Sequence, residues 1–315
     1  MACAAPIDVA SLHTARERYS RGVLTGSTLR SYALDWSLFV AWCRRIGQDH
    51  LPAEPDTLTL YLTFVLEVEA RKITTAGRRC CAIHHYHVTA GYSSPVTEDV
   101  RRLLDGARRI RCERPRQMRP LTVAHLRVMA EALMREDTPI AARDRAVLVV
   151  GLASGLRGAN LVTLQLSDVE FTEKGIILSI GREKQDQKGR GRLIGLPFGE
   201  HIETCPVRAL QTWLDRRGRL DGPLFTRLDP GLAGRPLNRE RIRKIVKGAL
   251  VKAGFNPTLY GAHSLRAGLV TEAAENGVSE LLICAQTGHR SMAMIRRYFR
   301  RAELFRMNAA GMIGL

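Results

Sequence analysis

The chain of 315 residues lacks an uninterrupted apolar run of about 20 residues, the length that a membrane-spanning helix requires. Its first residues also lack the basic and apolar segments of a secretory signal peptide. The seven cysteines are odd in number and include no Cys-x-x-Cys pair, so no disulfide framework is indicated. We therefore expect a cytoplasmic protein with free, mostly buried thiols in a reducing compartment.

Acidic residues are scarce relative to basic ones. The sequence holds 31 Asp and Glu against 48 Lys and Arg, a formal net charge of +17. Such an excess favours a polyanionic partner, because cationic side chains release the counterions condensed on nucleic acid. A membrane surface is the alternative, without an apolar span to support it. With 45% hydrophobic residues, the chain can form the cores of about two domains.

The first part of the sequence predicts an all-helical domain. Residues 1–26 have mixed charge and are interpreted as a loosely ordered N-terminal arm. Residues 27–112 are interpreted as a helical DNA-binding domain, because apolar residues recur there at helical spacing. Four helices are predicted, at about Ser27 to Gly47, Asp56 to Leu66, Thr74 to Ala90 and Thr97 to Arg111.

Basic residues concentrate between residues 71 and 119, where twelve Lys and Arg stand against four Asp and Glu. The candidate DNA-binding residues of this helical domain are Arg71, Lys72, Arg78 and Arg79. Contact with phosphates is favoured over contact with bases, because most protein–DNA hydrogen bonds go to the backbone. The nearby Cys80-Cys81 and His84-His85-His87 do not match a zinc spacing, so we expect no metal there.

A basic linker is predicted at residues 113–120. Pro115 and Pro120 interrupt helix formation and favour an extended strap, while Arg114, Arg116 and Arg119 are candidate contacts to an anion. Residues 121–315 then form a second domain, in which Thr122 caps a helix and residues 141–152 form another. Two basic domains joined in this way suit a C-shaped clamp that closes around a DNA duplex.

The candidate nucleophile is Tyr298, nine residues after His289 in a Gly-His turn and surrounded by arginines. A tyrosine is a weak nucleophile at neutral pH, because a phenol ionises near pH ~10. Fixed cations beside a phosphodiester would make a phenoxide a plausible attacking group. The alternative is a surface helix with one amphipathic tyrosine packed against the body of the domain.

Three upstream elements favour the catalytic interpretation. Arg157 lies at a turn between glycines, next to apolar residues, where an arginine usually needs an anion. Residues 175–181 and 192–197 predict two strands joined by a hairpin loop that carries Lys184 and Lys188. His263 and Arg266 are three residues apart on a predicted helix, so they share one face and could bind one anion.

Arg157, a hairpin lysine, His263-x-x-Arg266, Gly288-His289 and Tyr298 together resemble the active-site series of the tyrosine recombinases, the phage-integrase class. The stretches Ile180-Gly181-Arg182-Glu183-Lys184 and His263-Ser264-x-Arg266-x-Gly268 look similar to those of its member Cre. The resemblance covers about residues 121–301. It implies a mainly α fold, with a small antiparallel β-sheet in the catalytic domain.

The resemblance also implies a reaction without metal, nucleotide or other cofactor. Tyr298 would attack a scissile phosphate and form a 3′-phosphotyrosyl link, while Arg157 and Arg266 neutralise the non-bridging oxygens. His263 would assist proton transfer at the tyrosine, His289 would hydrogen-bond the phosphate, and Lys184 would protonate the leaving oxygen. The partners implied are double-stranded DNA and three further copies of the chain, with the tail 302–315 as an oligomer contact.

Some choices stay open in the sequence. The family usually has an acidic residue three places after the first arginine, where this chain has Asn160. Lys184 is favoured over Lys188 as general acid, because Lys188 lies beside Gly189 in a segment less fixed in position. The alternative functions are a topoisomerase IB-like enzyme that relaxes supercoils and a catalytically silent DNA-binding protein.

Overall fold

The computed structural model describes residues 24–113, 118–181, 191–289, 291–296 and 298. The chain divides into two compact units, Met1–Arg116 and Gln117–Leu315. The arm up to residue 23, Arg114, Arg116, the hairpin loop 182–190 and the tail 302–315 lie outside the described residues.

The described part of the first unit consists of four helices, as predicted. They are α1 (Gly26–Ile46), α2 (Pro55–Glu67), α3 (Ile73–Thr89) and α4 (Glu98–Arg111). Helix α1 begins one residue before the predicted cap, because Thr25 serves as N-cap and accepts from the Thr28 amide. It ends where predicted, since Gly47 adopts the left-handed conformation that terminates helices.

The apolar faces of these helices form one core, in which Phe39, Tyr61, Leu62, Ile83 and Val100 are fully buried. Beside it, His87 uses both ring nitrogens: Nε2 accepts from the Ala53 amide and Nδ1 donates to the Ile83 carbonyl. Burial lowers the pKa of His87. Within the described residues, no group of three His, Cys, Asp or Glu is placed to hold a metal ion.

The second unit combines helices with a small sheet. Its helices are α5 (Val123–Glu136), α6 (Pro139–Ser154), α7 (Gly158–Leu161), α8 (Pro206–Arg217), α9 (Arg239–Lys252), α10 (His263–Glu275) and α11 (Glu280–Thr287). Its strands are β1 (Val169–Thr172), β2 (Gly175–Ile180) and β3 (Arg192–Pro197). Residues 292–296 and 298 are also helical. A mainly helical fold with a small antiparallel sheet is confirmed.

The sheet has the order β1-β2-β3, and both strand pairs are antiparallel. The β2–β3 hairpin was predicted, whereas β1 was not. Ile180 pairs with Arg192 at the end of the hairpin where the connecting loop begins. Thus the loop expected to carry the lysine joins two strands whose register is fixed.

Helix α6 is the centre of the second core. Residues 146–152 of this helix are apolar and buried on all sides, and α5, α8 and α10 pack against it. A helix that is apolar around its whole circumference is typical of such a central position. Because α6 ends at Gly155, two residues before Arg157, this core fixes where the first arginine turn begins.

The end of the predicted linker is part of the second unit. The Arg119 amide donates to the Leu259 carbonyl at 2.9 Å, and the Leu121 amide donates to the Ser264 carbonyl at 3.0 Å. A Cβ atom added to Gly268 would lie 1.9 Å from the Leu121 carbonyl oxygen, so this close approach requires glycine. At the other end, Glu113 accepts from the Ile73 amide of the first unit at 3.2 Å.

Other sequence-based expectations concern thiols and membranes. All six described cysteines are free, and three of them are buried. No helix in the described ranges is both long and apolar enough to cross a membrane.

Candidate active site

Arg266 connects three segments that are distant in sequence. Its side chain is 1% exposed, and Nη1 donates to the carbonyl oxygens of Gly155, at 2.7 Å, and Thr287. Gly155 lies two residues before Arg157, and Thr287 lies two residues before His289. The guanidinium therefore holds the first arginine turn and the Gly-His turn next to helix α10.

The turn at Arg157 is formed by a helix end and a helix start. Gly155 ends α6 in the left-handed conformation, with φ 60°, and a Cβ there would lie 2.7 Å from Leu269 and 2.9 Å from Thr287. Arg157 is the half-buried N-cap of α7, and its carbonyl accepts from the Asn160 amide at 2.8 Å. The backbone of Asn160 therefore helps to close this turn.

The turn at His289 begins at the end of α11. Gly288 has a left-handed conformation, with φ 67°, and its amide donates to the Cys284 carbonyl at 2.8 Å. His289 is half-buried, and its Nδ1 lies 2.6 Å from the hydroxyl of Thr287, which is fully buried. The backbone of this turn is thus fixed by Cys284 and its ring by Thr287.

Arg192 connects the hairpin to the same turn. It is the first residue of β3, and its guanidinium donates to the carbonyls of Ala285, Gln286 and Thr287 at the end of α11. Unpaired carbonyls and the helix dipole both favour a cation at this position. A Cβ on Gly288 would lie 2.9 Å from Arg192 Nε, so the glycine allows the guanidinium to approach.

His263 lies at the first residue of α10 and is exposed, whereas Arg266 on the same helix is buried. The sequence predicts that both side chains lie on one face of this helix, whereas the structure gives them different exposure. The loop before His263 is fixed by Ser264, whose hydroxyl accepts from the Gly261 amide at 3.0 Å. Tyr260 also contributes, with its hydroxyl 3.2 Å from His125 Nε2 on α5.

Tyr298 is half-buried. It packs against the small apolar cluster of Val270, Ala274, Ile283 and Ile295. Because Val270 and Ala274 lie on α10 and Ile283 lies on α11, the helices that carry Arg266 and Thr287 also position the tyrosine segment, to which Ile295 belongs. Lys184 and Lys188, the two candidate general acids, lie outside the described residues.

Comparison with known proteins shows the family of this chain. The model of the phage integrase family matches residues 121–304, more than half of the chain. The chain belongs to the phage integrase family. The resemblance inferred from the five separated motifs is confirmed at this level, and the likeness to Cre stays a prediction.

Two relatives that match most of this integrase-family chain are recombinases. It is 35% identical over 290 residues to an integrase/recombinase XerD homologue of Selenomonas ruminantium, covering 90% of this chain and 84% of the relative. It is 25% identical over 280 residues to the tyrosine recombinase XerD of Yersinia pestis, covering 87% of each chain. The chain is therefore a tyrosine-type site-specific recombinase or integrase, as predicted.

Solved structures agree in fold. The Tn1549 transposon integrase in complex with a circular intermediate DNA matches with a TM-score of 0.60 and 16% identity, over 93% of this chain and 97% of the other. A lambda integrase dimer bound to a core site matches with a TM-score of 0.57 and 18% identity, over 91% and 94%. At these identities, the likeness concerns the fold.

The DNA-binding residues predicted in the first unit differ in position. Arg71, Lys72 and Arg78 are exposed, although Arg78 Nη1 lies 2.5 Å from a carboxylate oxygen of Asp35. Arg79 is 3% exposed and donates to Tyr61 and Glu69 inside the unit. A buried guanidinium with these partners is not accessible to DNA, so Arg79 is not among the DNA contacts that we propose. Arg119 is exposed, and Arg114 and Arg116 lie outside the described residues.

Sequence reasoning missed two residues of the site, Arg192 and Thr287. Their contacts join residues about a hundred positions apart or residues of two adjacent turns. No helical or strand periodicity in the sequence therefore identifies these two residues. One local signal existed, because a threonine directly before Gly-His is placed where its hydroxyl can reach the ring.

Proposed function

We propose that this chain recombines DNA at specific sites by cutting and rejoining strands through Tyr298. The phenolic oxygen attacks the scissile phosphorus, the P–O5′ bond breaks, and a 3′-phosphotyrosyl link and a free 5′-hydroxyl result. The reverse attack by a 5′-hydroxyl of the partner strand rejoins the DNA. The bond energy is retained in the link, so the cycle needs no nucleotide cofactor.

One observation carries most of this proposal. Arg266 is hydrogen-bonded to the residues two places before Arg157 and two places before His289. Two of the residues expected to bind the phosphate, Arg157 and His289, are thereby held beside the buried guanidinium of the third, Arg266. Preorganised cations of this kind stabilise charge that develops in a transition state, because they need no rearrangement during the reaction.

The remaining roles follow the family resemblance. Arg157 and Arg266 bind the non-bridging oxygens, His263 assists proton transfer at Tyr298, and His289 binds the phosphate. Lys184 supplies the proton to the leaving 5′ oxygen. The exposed Arg71, Lys72, Arg78 and Arg119, together with Arg114 and Arg116, contact the DNA backbone.

We also propose the assembly and domain roles that the family implies. Residues 27–112 bind the duplex, 113–120 link the domains, and 121–315 carry the chemistry in a C-shaped clamp. Four copies synapse two DNA sites through a Holliday junction, with the tail 302–315 packing on a neighbour. The setting is the bacterial cytoplasm, on the nucleoid or a mobile element. The Tn1549 transposon integrase, which is similar in fold, is in complex with a circular intermediate DNA, and this supports the choice of DNA as the partner.

A nicked suicide substrate tests the nucleophile. The wild-type chain should form a protein–DNA adduct that survives denaturation, because the cleaved strand end diffuses away and religation stops. Tyr298→Phe should form none, whereas Tyr92→Phe, at an exposed tyrosine of the first unit, should keep the adduct. An adduct in Tyr298→Phe, or its absence in the wild type, would overturn the proposal.

Plasmid relaxation and adduct formation together separate the alternative functions. Relaxation of supercoiled plasmid by a monomer, without exchange between two sites, would favour a topoisomerase IB-like enzyme. Binding without any adduct would favour a catalytically silent DNA-binding protein.

A substrate with sulfur at the bridging 5′ position tests the general acid, because a thiolate leaves without needing a proton. Lys184→Ala should cleave normal DNA slowly and the sulfur substrate at nearly the wild-type rate. Lys188→Ala is the matched control and should treat both substrates alike. Rescue in Lys188→Ala alone would exchange the two roles.

A further inference from the structure

Thr287 contacts several groups of the site, but the roles proposed above assign no role to it. It is the last residue of α11 and is fully buried. Its carbonyl oxygen accepts from both Arg266 and Arg192, at 3.3 Å for the latter. The backbone directly before Gly288-His289 is therefore fixed by two guanidinium groups.

The hydroxyl of Thr287 also has two neighbours. Its Oγ1 donates to the Ile283 carbonyl one turn earlier, and it lies 2.6 Å from His289 Nδ1. A hydroxyl has one hydrogen, and a carbonyl oxygen can accept but not donate. The hydrogen is therefore directed to Ile283, and Oγ1 must accept from an N–H at Nδ1 of His289.

This direction of donation determines the state of the imidazole. A neutral ring carries one proton, so a proton on Nδ1 leaves a lone pair on Nε2. Neutral His289 can then accept a hydrogen bond or a proton at Nε2. It can donate from Nε2 to a phosphate oxygen when it is the imidazolium.

We propose that Thr287 is a positioning residue that fixes His289 in the Nδ1–H tautomer and sets the plane of its ring. The part that concerns DNA rests on the proposed function of His289 at the phosphate. The tautomer itself follows from the hydrogen bonds within the chain. With this arrangement, Nε2 is the nitrogen of His289 that serves the reaction.

Nitrogen NMR of the full chain tests the tautomer directly. Protein labelled with ¹⁵N-histidine gives long-range proton–nitrogen patterns that distinguish Nδ1–H from Nε2–H rings, and a His289→Gln sample assigns the signal. Wild type and Thr287→Ser should both show the Nδ1–H pattern at a pH where the ring is neutral. Thr287→Val, which lacks the acceptor but keeps the shape and the carbonyl, should lose it. An Nε2–H pattern in the wild type, or an unchanged pattern in Thr287→Val, would overturn the proposal.

Single-turnover cleavage of the suicide substrate adds a functional readout. An incorrect histidine tautomer costs a serine hydrolase about 10⁴-fold. Because His289 is one of several groups at the phosphate, we expect a loss of about 10- to 100-fold for Thr287→Val. Thr287→Ser should restore most of the rate. Equal rates in Thr287→Val and the wild type would contradict the role.

Thr212→Val provides the matched control. The exposed Thr212 on α8 donates to the Arg208 carbonyl one turn earlier, at 2.8 Å, as Thr287 does to Ile283. Its loss should change neither the His289 spectrum nor cleavage. If Thr287→Val does not fold, the wild-type and Thr287→Ser spectra still decide the tautomer.

These outcomes separate the present inference from the proposed function. A normal adduct with an Nε2–H ring would remove the role of Thr287 and leave the recombinase reaction in place. An Nδ1–H ring in a chain that forms no adduct would confirm the positioning and remove the reaction.

Discussion

Two buried arginines, one in each unit, show how differently the same side chain can be used. Arg79 of the first unit is 3% exposed, and its guanidinium donates to both carboxylate oxygens of Glu69 and to the Tyr61 hydroxyl. Arg266 of the second unit is 1% exposed and donates to two backbone carbonyls. A carboxylate both orients and neutralises a guanidinium, whereas a carbonyl orients it.

The pKa values around Arg79 agree with a structural role. The hydrogen bond from Arg79 lowers the pKa of Glu69, and burial raises the pKa of Tyr61 to about 12. Both effects keep the cluster in its paired form at neutral pH. The comparison therefore predicts that Arg79 supports folding and that Arg266 supports catalysis.

The largest expected effect follows from replacing Arg266 by lysine. Lysine keeps the charge but loses the planar fork, so it cannot orient against both carbonyls and a phosphate. Cleavage of the suicide substrate should fall by about 100-fold or more, as is typical when a charge-stabilising donor is lost. Duplex affinity, measured by fluorescence anisotropy, should change little because many basic residues share it. Equal losses in affinity and cleavage would assign Arg266 a structural role.

The same substitution at Arg79 should give the opposite result. Arg79→Lys leaves Glu69 or Tyr61 without its donor, which should lower the free energy of unfolding by about 1–3 kcal/mol. The loss is smaller than for a fully buried pair, because the Glu69 side chain is 24% exposed. Hydrogen exchange of peptides from residues 24–113 measures the change.

Cleavage by Arg79→Lys should stay near the wild-type rate below its unfolding temperature. If the variant instead loses DNA affinity and about one unit of salt dependence, with unchanged exchange, Arg79 binds phosphate after all.

The smallest expected effect concerns acid pH. Because the folded-state pKa of Glu69 is lowered, its contribution to stability is present above the pKa of the unfolded chain. The contribution is lost as the pH falls through the folded pKa, which lies below the ordinary pKa of a Glu carboxyl. Burial raises the pKa of the neighbouring Asp35. The folded chain therefore favours the protonated form of Asp35, which opposes the loss of stability at pH values just above the ordinary pKa of an Asp carboxyl.

Hydrogen exchange between pH 5 and 3 should therefore show a steeper loss of protection in the wild type than in Glu69→Gln. Parallel curves for the two proteins would show that the Arg79 hydrogen bond does not govern the acid stability of this unit.

Much of the fold was accessible from local patterns. Gly47 ended α1 and Thr122 capped α5 as predicted, because caps and glycines act through neighbouring backbone groups. Helix α9 was not predicted, although Ile242, Ile245, Ala249 and Leu250 repeat at helical spacing among six basic residues. In this segment, the many basic residues obscured the apolar periodicity of the helix.

The site was accessible in part. Tyr298, Arg157 and His289 follow recognisable motifs, and their roles stay predictions. Arg78 and Arg79 look equivalent in sequence, but Arg79 falls on the buried stripe of α3 with Ala76 and Ile83. By contrast, the contacts of Arg192 with α11 join strand and helix residues more than ninety positions apart. Such contacts arise from tertiary packing, which leaves no period in the sequence.

The close approach of Gly268 to Leu121 also bears on how chimaeric recombinases are built from this chain. Residues 119–121 pair with the backbone on both sides of His263, so they belong with the second unit during any exchange of parts. A fusion junction placed at residue 120 would import foreign chain into a space that admits no Cβ atom on α10. A junction between 113 and 118 would leave both pairings intact and allow the first unit to be exchanged independently.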